Sequence, residues 1–199
     1  MVLKVEGVAV GYGGVPLLKG LDLTVPAGAV AVFRGPNGSG KSTLLRSLAG
    51  LVAPMAGTIS ADGVRADDRD PRYRRTVALL LDGGAWYPDL TAAEHVELVE
   101  RANGPLPDGW RAAGTFGVEE FAGETPGRLS SGQLQRLALA MVFARPSALL
   151  VLDEPERHLD AEGRATLRAT LLSYVDAGRA AVVATHDADL AGTQEHLLG

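Results

Sequence analysis

Apolar and polar positions fall into two rhythms along the 199-residue chain. Three short runs are apolar without a break: Ala29–Phe33, Ala148–Leu152 and Ala180–Ala184. Such runs read as strands covered on both faces, the mark of a parallel sheet. Other stretches repeat at helical spacing. Thr43–Ala49 is followed by Gly50 as a stop, and Ala161–Asp176 has Asp160 as N-cap and Gly178 just past its end. Leu134–Ala144 is apolar nearly all round, which predicts a buried helix, and Pro146 stops it. Thr91–Arg101 predicts a further helix, with Thr91 and Glu94 spaced as a capping box. Leu3–Val10, Leu21–Val25, Thr58–Ala61 and Thr76–Leu81 read as strands. Asn103–Pro126 is rich in Gly and Pro, with short pieces around Trp110 and Glu119–Phe121, and predicts a compact, loop-heavy insertion. Strands alternating with helices predict an α/β fold.

Composition narrows this only a little. The length suits one domain with a real core, and apolar (46%) and charged (22%) fractions are those of a globular chain. A net charge of −5 argues against broad nucleic-acid binding through a basic face. With no cysteine, neither disulfides nor thiolate metal sites are available, which suits a reducing compartment. The first residues do not read as a signal peptide, and no apolar run approaches membrane-spanning length.

The chemistry is concentrated in Gly35-Pro36-Asn37-Gly38-Ser39-Gly40-Lys41-Ser42-Thr43, which satisfies G-x-x-x-x-G-K-[ST]. It follows the Ala29–Phe33 strand and opens the Thr43–Ala49 helix. That context aims unpaired backbone N–H groups, together with the positive end of a helix dipole, at one point. Lys41 is placed to reach β- and γ-phosphate oxygens, and the Ser42 hydroxyl to ligate Mg²⁺. The stretch implies binding of a nucleoside triphosphate. Asp153-Glu154 follows the Ala148–Leu152 strand, at the end of a strand where ligands of open α/β sheets gather. There Asp153 can hold Mg²⁺ through water and Glu154 can polarise an attacking water. Ser130 reads both as an ordinary N-cap and as part of a second phosphate-binding helix start. His186 follows the last strand and reads either as structural or as a γ-phosphate contact.

In this order the motifs resemble the ATP-binding cassette family over nearly the whole chain. Tyr12 resembles the family's A-loop aromatic, which stacks on adenine, and Gly35–Thr43 its Walker A loop. Leu129-Ser130-Ser131-Gly132-Gln133 is similar to the LSGGQ signature, with Ser131 in place of Gly. Leu149–Glu154 matches Walker B with its catalytic glutamate, Leu159-Asp160 the end of the D-loop, and His186 the H-loop switch. The resemblance implies a P-loop NTPase with a mostly parallel core sheet, an N-terminal antiparallel β subdomain and a small helical subdomain carrying the signature. Core residues would be roughly 1–83 and 146–199 of a single domain, and the helical part roughly 84–145. It further implies ATP and Mg²⁺ as cofactors and hydrolysis served by Glu154 and His186. Tyr12, Gly35, Asn37, Gly38, Ser39, Gly40, Lys41, Ser42 and Thr43 would bind ATP, and Ser42 and Asp153 the metal. Ser130, Ser131, Gly132, Gln133 and Asp160 would act on the ATP of a second cassette, homo- or heteromeric. Separate transmembrane permease subunits would hold the chain peripherally on the cytoplasmic face of a membrane, with no nucleic-acid partner.

There are departures from the family. Asp82 takes the position of the Q-loop glutamine; it reads as a metal ligand of altered geometry or as an exposed loop acid. Glu156-Arg157-His158 is bulkier and more charged than the usual D-loop, and the Gly/Pro-rich 103–126 stretch departs from the usual transporter-docking surface. The chain's end soon after His186 leads to the expectation of no C-terminal regulatory domain. A soluble cassette switching on ribosomes or nucleic acid is the alternative function, and a weakly hydrolysing regulator a third.

Overall fold

The computed structural model describes residues 2–81, 84–104, 112–190 and 192–198. In chain order the strands and helices are β1 (Leu3–Tyr12), β2 (Val15–Val25), β3 (Val30–Arg34), α1 (Lys41–Leu48), β4 (Ala56–Ala61) and β5 (Val64–Arg65). Then follow α2 (Pro71–Thr76), β6 (Val77–Leu80), α3 (Ala92–Asn103), α4 (Ala112–Thr115), α5 (Ser131–Phe143), β7 (Leu149–Asp153), α6 (Ala161–Asp176), β8 (Ala180–Ala184) and β9 (Gln194–Leu197). The chain packs as two compact units, one of residues 1–81, 147–154 and 171–199, the other of 82–146 and 155–170.

The first unit contains two sheets. One is antiparallel, in the order β2-β1-β4-β5; the other has the order β6-β7-β8-β3-β9, with every pairing parallel. The unbroken apolar runs become β3, β7 and β8, buried along their length except at Arg34 and Asp153, the last residues of β3 and β7. Leu44, Leu45 and Leu48 of α1 are fully buried in the same core as Leu3, Val5 and Ile59 of the antiparallel sheet and Phe33, Val151 and Val182 of the parallel one. Each such leucine contributes about 1.5–3 kcal/mol relative to exposure.

Short elements escape sequence patterning. Asp62-Gly63, both at positive φ, make a two-residue hairpin between β4 and β5, because that backbone twist suits adjoining strands. Asp70 accepts from the Arg72 N–H and Pro71 opens α2. β1 and β2 run on past the predicted ends at Val10 and Leu21, Pro16 pairing with Gly11 next to the hairpin tip, where a missing N–H costs little. Gln194–Leu197 adds an edge strand too short and mixed to read from sequence.

Two buried tyrosines stiffen this unit. The Tyr73 hydroxyl donates to the Leu48 carbonyl, and Tyr174 donates to the Ser147 carbonyl at 2.7 Å. Burial pushes both phenols up, that of Tyr174 to about 12. A raised folded-state value means stability fully present below the unfolded phenol's value of about 10 and lost as pH rises toward about 12. In an alkaline titration, two of the four tyrosines are therefore expected to ionise only together with loss of circular dichroism. Phenolate absorbance from all four, with the dichroism intact, contradicts this.

The second unit is helical. The capping box predicted at Thr91 is present: Thr91 N–H donates to Glu94 at 2.7 Å and Glu94 N–H to the Thr91 hydroxyl at 3.3 Å. The Thr91 backbone N–H holds the Glu94 carboxyl below its ordinary range. Phe116 packs on Phe143 with ring centroids 5.5 Å apart. Arg136 lies over Phe121 at 5.0 Å while paired with Glu120 at 2.9 Å. Of the predicted insertion, the described residues from 112 on form α4 and then short 3₁₀ turns at Val118–Phe121 and Pro126–Arg128; Trp110 lies outside the described residues.

Candidate functional site

The phosphate loop joins β3 to α1 within the first unit. Gly35 passes so close to Leu198 that an added Cβ would stand 2.3 Å from its carbonyl oxygen, and Gly40 caps α1 at φ 94°. Both positions demand glycine. α1 starts at Lys41, so Ser42 and Thr43 occupy its first turn, where helix N–H groups lack internal partners. Lys41 is almost fully buried; its Nζ donates to the carbonyls of Gly35 at 2.6 Å and Pro36 at 3.0 Å. The loop encloses a cavity of about 260 Å³ that Asn37, Gly38, Gly40, Lys41, Ser42, Thr43 and Glu154 line.

Glu154 comes to this cavity from the end of β7. Its N–H donates to the Ala184 carbonyl at 2.8 Å, and its φ of 44° turns the chain sharply away from the sheet. A non-glycine residue there stores strain of the kind found at working sites. His186, two residues past β8, places Nε2 3.5 Å from Glu154 Oε1. Asp153 pairs in register with Ala184 at the same sheet edge. Ser42, Asp153 and Glu154 offer hydroxyl and carboxylate oxygens, the hard donors that Mg²⁺ takes. The Lys41 cation and free N–H groups suit a polyphosphate.

Leu17, which the sequence patterns do not single out, also lines the cavity, its Cβ 3.2 Å from where a Gly40 Cβ would stand. No local pattern marks it, because its partner Gly40 lies 23 positions further along the chain. Tyr12 ends β1 in the hairpin that carries Leu17 and is 87% exposed. Asp82 lies outside the described residues.

The signature residues stand in the second unit. α5 begins at Ser131, earlier than the predicted Leu134, because Ser130 and Gln133 close a capping box. Gln133 N–H donates to Ser130 Oγ at 3.3 Å and Ser130 N–H to Gln133 Oε1 at 2.9 Å. Ser131, Gly132 and Gln133 thus form the helix's first turn. Gly132 faces the His158 carbonyl so closely that a Cβ would stand at 3.1 Å. Buried Gln135 donates to the Pro155 carbonyl at 2.8 Å, a contact no motif announced. Asp160 caps α6, accepting from the Gly163 N–H at 2.8 Å. Ser130, Gly132, Gln133 and Asp160 share one open cavity of about 550 Å³; Ser131 is not among its lining residues.

A strand, a glycine-rich loop and a helix start around a buried lysine, with acids at the end of another strand of the same sheet, define a P-loop nucleotide-binding ATPase. Residues 18–157 match the family model described as ABC transporter, and the chain belongs to that family. The nickel import ATP-binding protein NikO of Rhodobacter capsulatus is 37% identical, over 94% of this chain and 80% of its own length. The cytochrome c biogenesis ATP-binding export protein CcmA 2 of Cupriavidus metallidurans is 35% identical, over 93% and 89% respectively. The Fe(3+) ions import ATP-binding protein FbpC 1 of Rhodococcus jostii is 36% identical, but the chain spans only 55% of that relative. Among solved structures, the dimeric post-hydrolysis state of the ATP-binding cassette MJ0796 bound to ADP and Pi matches with a TM-score of 0.84 and 27% identity, covering 98% of this chain and 94% of that one. The chain is an ATP-binding, ATP-hydrolysing subunit of a membrane transporter. No helix among the described residues is long and apolar enough to cross a membrane.

Proposed function

We propose that this chain and a second cassette, identical or related, clasp two ATP molecules between them and hydrolyse them to drive permease subunits in a membrane. The observation that carries this is the single cavity that the phosphate loop shares with Glu154, beside His186. Tyr12 stacks on adenine, in keeping with its exposure at the hairpin tip. The amides of Gly35 to Thr43, including Asn37, Gly38, Ser39 and Gly40, wrap the phosphates, and Lys41 exchanges its two carbonyl partners for β- and γ-oxygens. Ser42 and Asp153 would hold Mg²⁺, with Asp82 proposed as a further ligand. The metal would supply neutralisation of the phosphate charge. Glu154 orients water and takes up its proton, and His186 donates a hydrogen bond to the γ-phosphate.

The other cassette completes each pocket with Ser130, Ser131, Gly132, Gln133 and Asp160. A hydroxyl at a capped helix start suits the terminal phosphate of a second molecule's ATP. The permease keeps the chain at the cytoplasmic face, because the described helices offer no span of their own. The relatives serve nickel, iron and cytochrome c biogenesis systems, and cargo choice rests with the membrane partner.

Ser130→Asp tests the clasp. Asp caps a helix start about as well as Ser, so α5 keeps its cap, yet a negative charge now faces the neighbour's γ-phosphate. A non-hydrolysable ATP analogue is expected to shift the parent to dimer elution and leave the variant monomeric, with hydrolysis down about a hundredfold. A variant that still dimerises on the analogue contradicts the arrangement.

A further inference from the structure

Arg34 is the last residue of β3 and immediately precedes Gly35 of the phosphate loop. A long cation there has an obvious target in the phosphates, but its guanidinium is otherwise engaged. Nη1 donates to the Asp187 carbonyl at 2.8 Å, Nη2 donates to the Leu190 carbonyl at 3.0 Å, and Nη2 lies 3.7 Å from Glu195 Oε1 on β9. Only 19% of the Arg34 side chain is exposed. Charge-assisted bonds at that depth are stronger than neutral ones on a wet surface.

The segment so gripped starts one residue after His186. Sheet-like bonding runs as far as Thr185, whose N–H donates to the Phe33 carbonyl at 3.2 Å. Beyond it the chain makes a local turn: Asp187 N–H donates to Thr185 Oγ1 at 2.9 Å, Asp189 N–H to Asp187 Oδ1 at 3.0 Å, and Leu190 N–H to the Asp187 carbonyl at 3.2 Å. Those bonds shape the turn; the guanidinium ties it to β3. Carbonyls three residues apart, taken by one planar fork, fix the turn's pitch as well as its place, which a single ammonium does not do. The Nε2–Glu154 separation of 3.5 Å is longer than an ordinary hydrogen bond, so small displacements of this turn change what His186 can reach.

We propose that Arg34 is a positioning residue for hydrolysis: by holding the Asp187 and Leu190 carbonyls it sets where His186 stands relative to Glu154 and the nucleotide's terminal phosphate. The inference rests on the roles given to His186 and Glu154 above. It links the phosphate loop and the His186 turn through one side chain, so both ends of the site share a reference point on β3.

The test is a double-mutant cycle. Arg34→Met keeps much of the side chain's bulk and removes the fork; it is expected to lower kcat about ten- to a hundredfold. KM for ATP and equilibrium ATP affinity stay within about twofold, because the phosphate loop's own contacts are unchanged. Amide hydrogen exchange at Asp189 and Leu190 accelerates, and Arg34→Lys, able to hold one carbonyl, falls between the parent and Arg34→Met. In a His186→Ala background, Arg34→Met changes kcat by less than about twofold, since the positioned group is gone. Full multiplication of the two losses, or a raised KM with kcat unchanged, overturns the proposal in favour of a general structural role. A parental kcat for Arg34→Met beside a crippled His186→Ala overturns it alone; a parental kcat for His186→Ala removes the reading beneath it as well. Should Arg34→Met fail to fold, Arg34→Lys and Arg34→Gln take its place in the same cycle, where non-additivity with His186→Ala supports the proposal and full multiplication overturns it.

Discussion

Glu154→Gln is expected to lower steady-state ATP hydrolysis by about two to four orders of magnitude while ATP still binds. The amide keeps the shape of the side chain and its place beside the 260 Å³ cavity, and removes its capacity to take a proton. Glu154 reaches the cavity from a left-handed backbone position fixed by its N–H bond to the Ala184 carbonyl. Neither feature depends on the carboxylate, so the fold and the phosphate contacts survive. Because only the chemical step is blocked, the ATP-bound state accumulates and the variant elutes as a stable dimer with ATP itself. Loss of kcat with unchanged ATP affinity is the signature of a group that acts in the transition state. Two results contradict this: a rate near the parent's, or a variant whose elution ignores ATP.

Lys41→Ala strikes at binding. Among the residues lining the phosphate-loop cavity, Lys41 is the one that carries positive charge. It is 6% exposed and bonded to two carbonyls of its own loop. Meeting a triphosphate with no cation in a partly enclosed site forfeits a charge-assisted contact and leaves phosphate charge uncompensated. Affinity for ATP is expected to fall about a hundredfold or more, and hydrolysis with it. Thermal unfolding separates this from misfolding. At ATP concentrations about a hundredfold above the parent's Kd, bound ligand stabilises the parent by about 2.7 kcal/mol. That increment disappears in the variant, while the nucleotide-free midpoint moves little. Retention of the ATP-induced shift excludes the role given to Lys41.

Much of the site is written in short-range patterns. The phosphate loop, the acids after an apolar run and the capped start of α5 each lie within a dozen contiguous residues, and local rules govern such segments: glycine tolerance of left-handed backbone, helix capping and burial of unbroken apolar strands. Lys41, Ser42 and Glu154 were legible on those grounds, and residues 161–176 form the predicted helix end to end. Leu17 and Arg34 were not legible, because their partners lie 20 or more residues away in the chain and no local pattern links them. Gln135 was hidden inside a helix read simply as buried, its use set by where the Pro155 carbonyl comes to lie.

By itself the amino-acid order determined the class of chemistry, because a phosphate cradle is built from consecutive backbone amides and needs no distant partner to be recognised. It also determined the parallel sheet, since strands covered on both faces have no room for alternation. Tertiary structure alone decided that Glu154 and His186, 32 positions apart, meet within 3.5 Å, and that Arg34 turns from the phosphates toward the His186 turn. Those outcomes depend on sheet order, β7 beside β8 and β8 beside β3, and strand order is a property of the packed core that no stretch of sequence encodes alone.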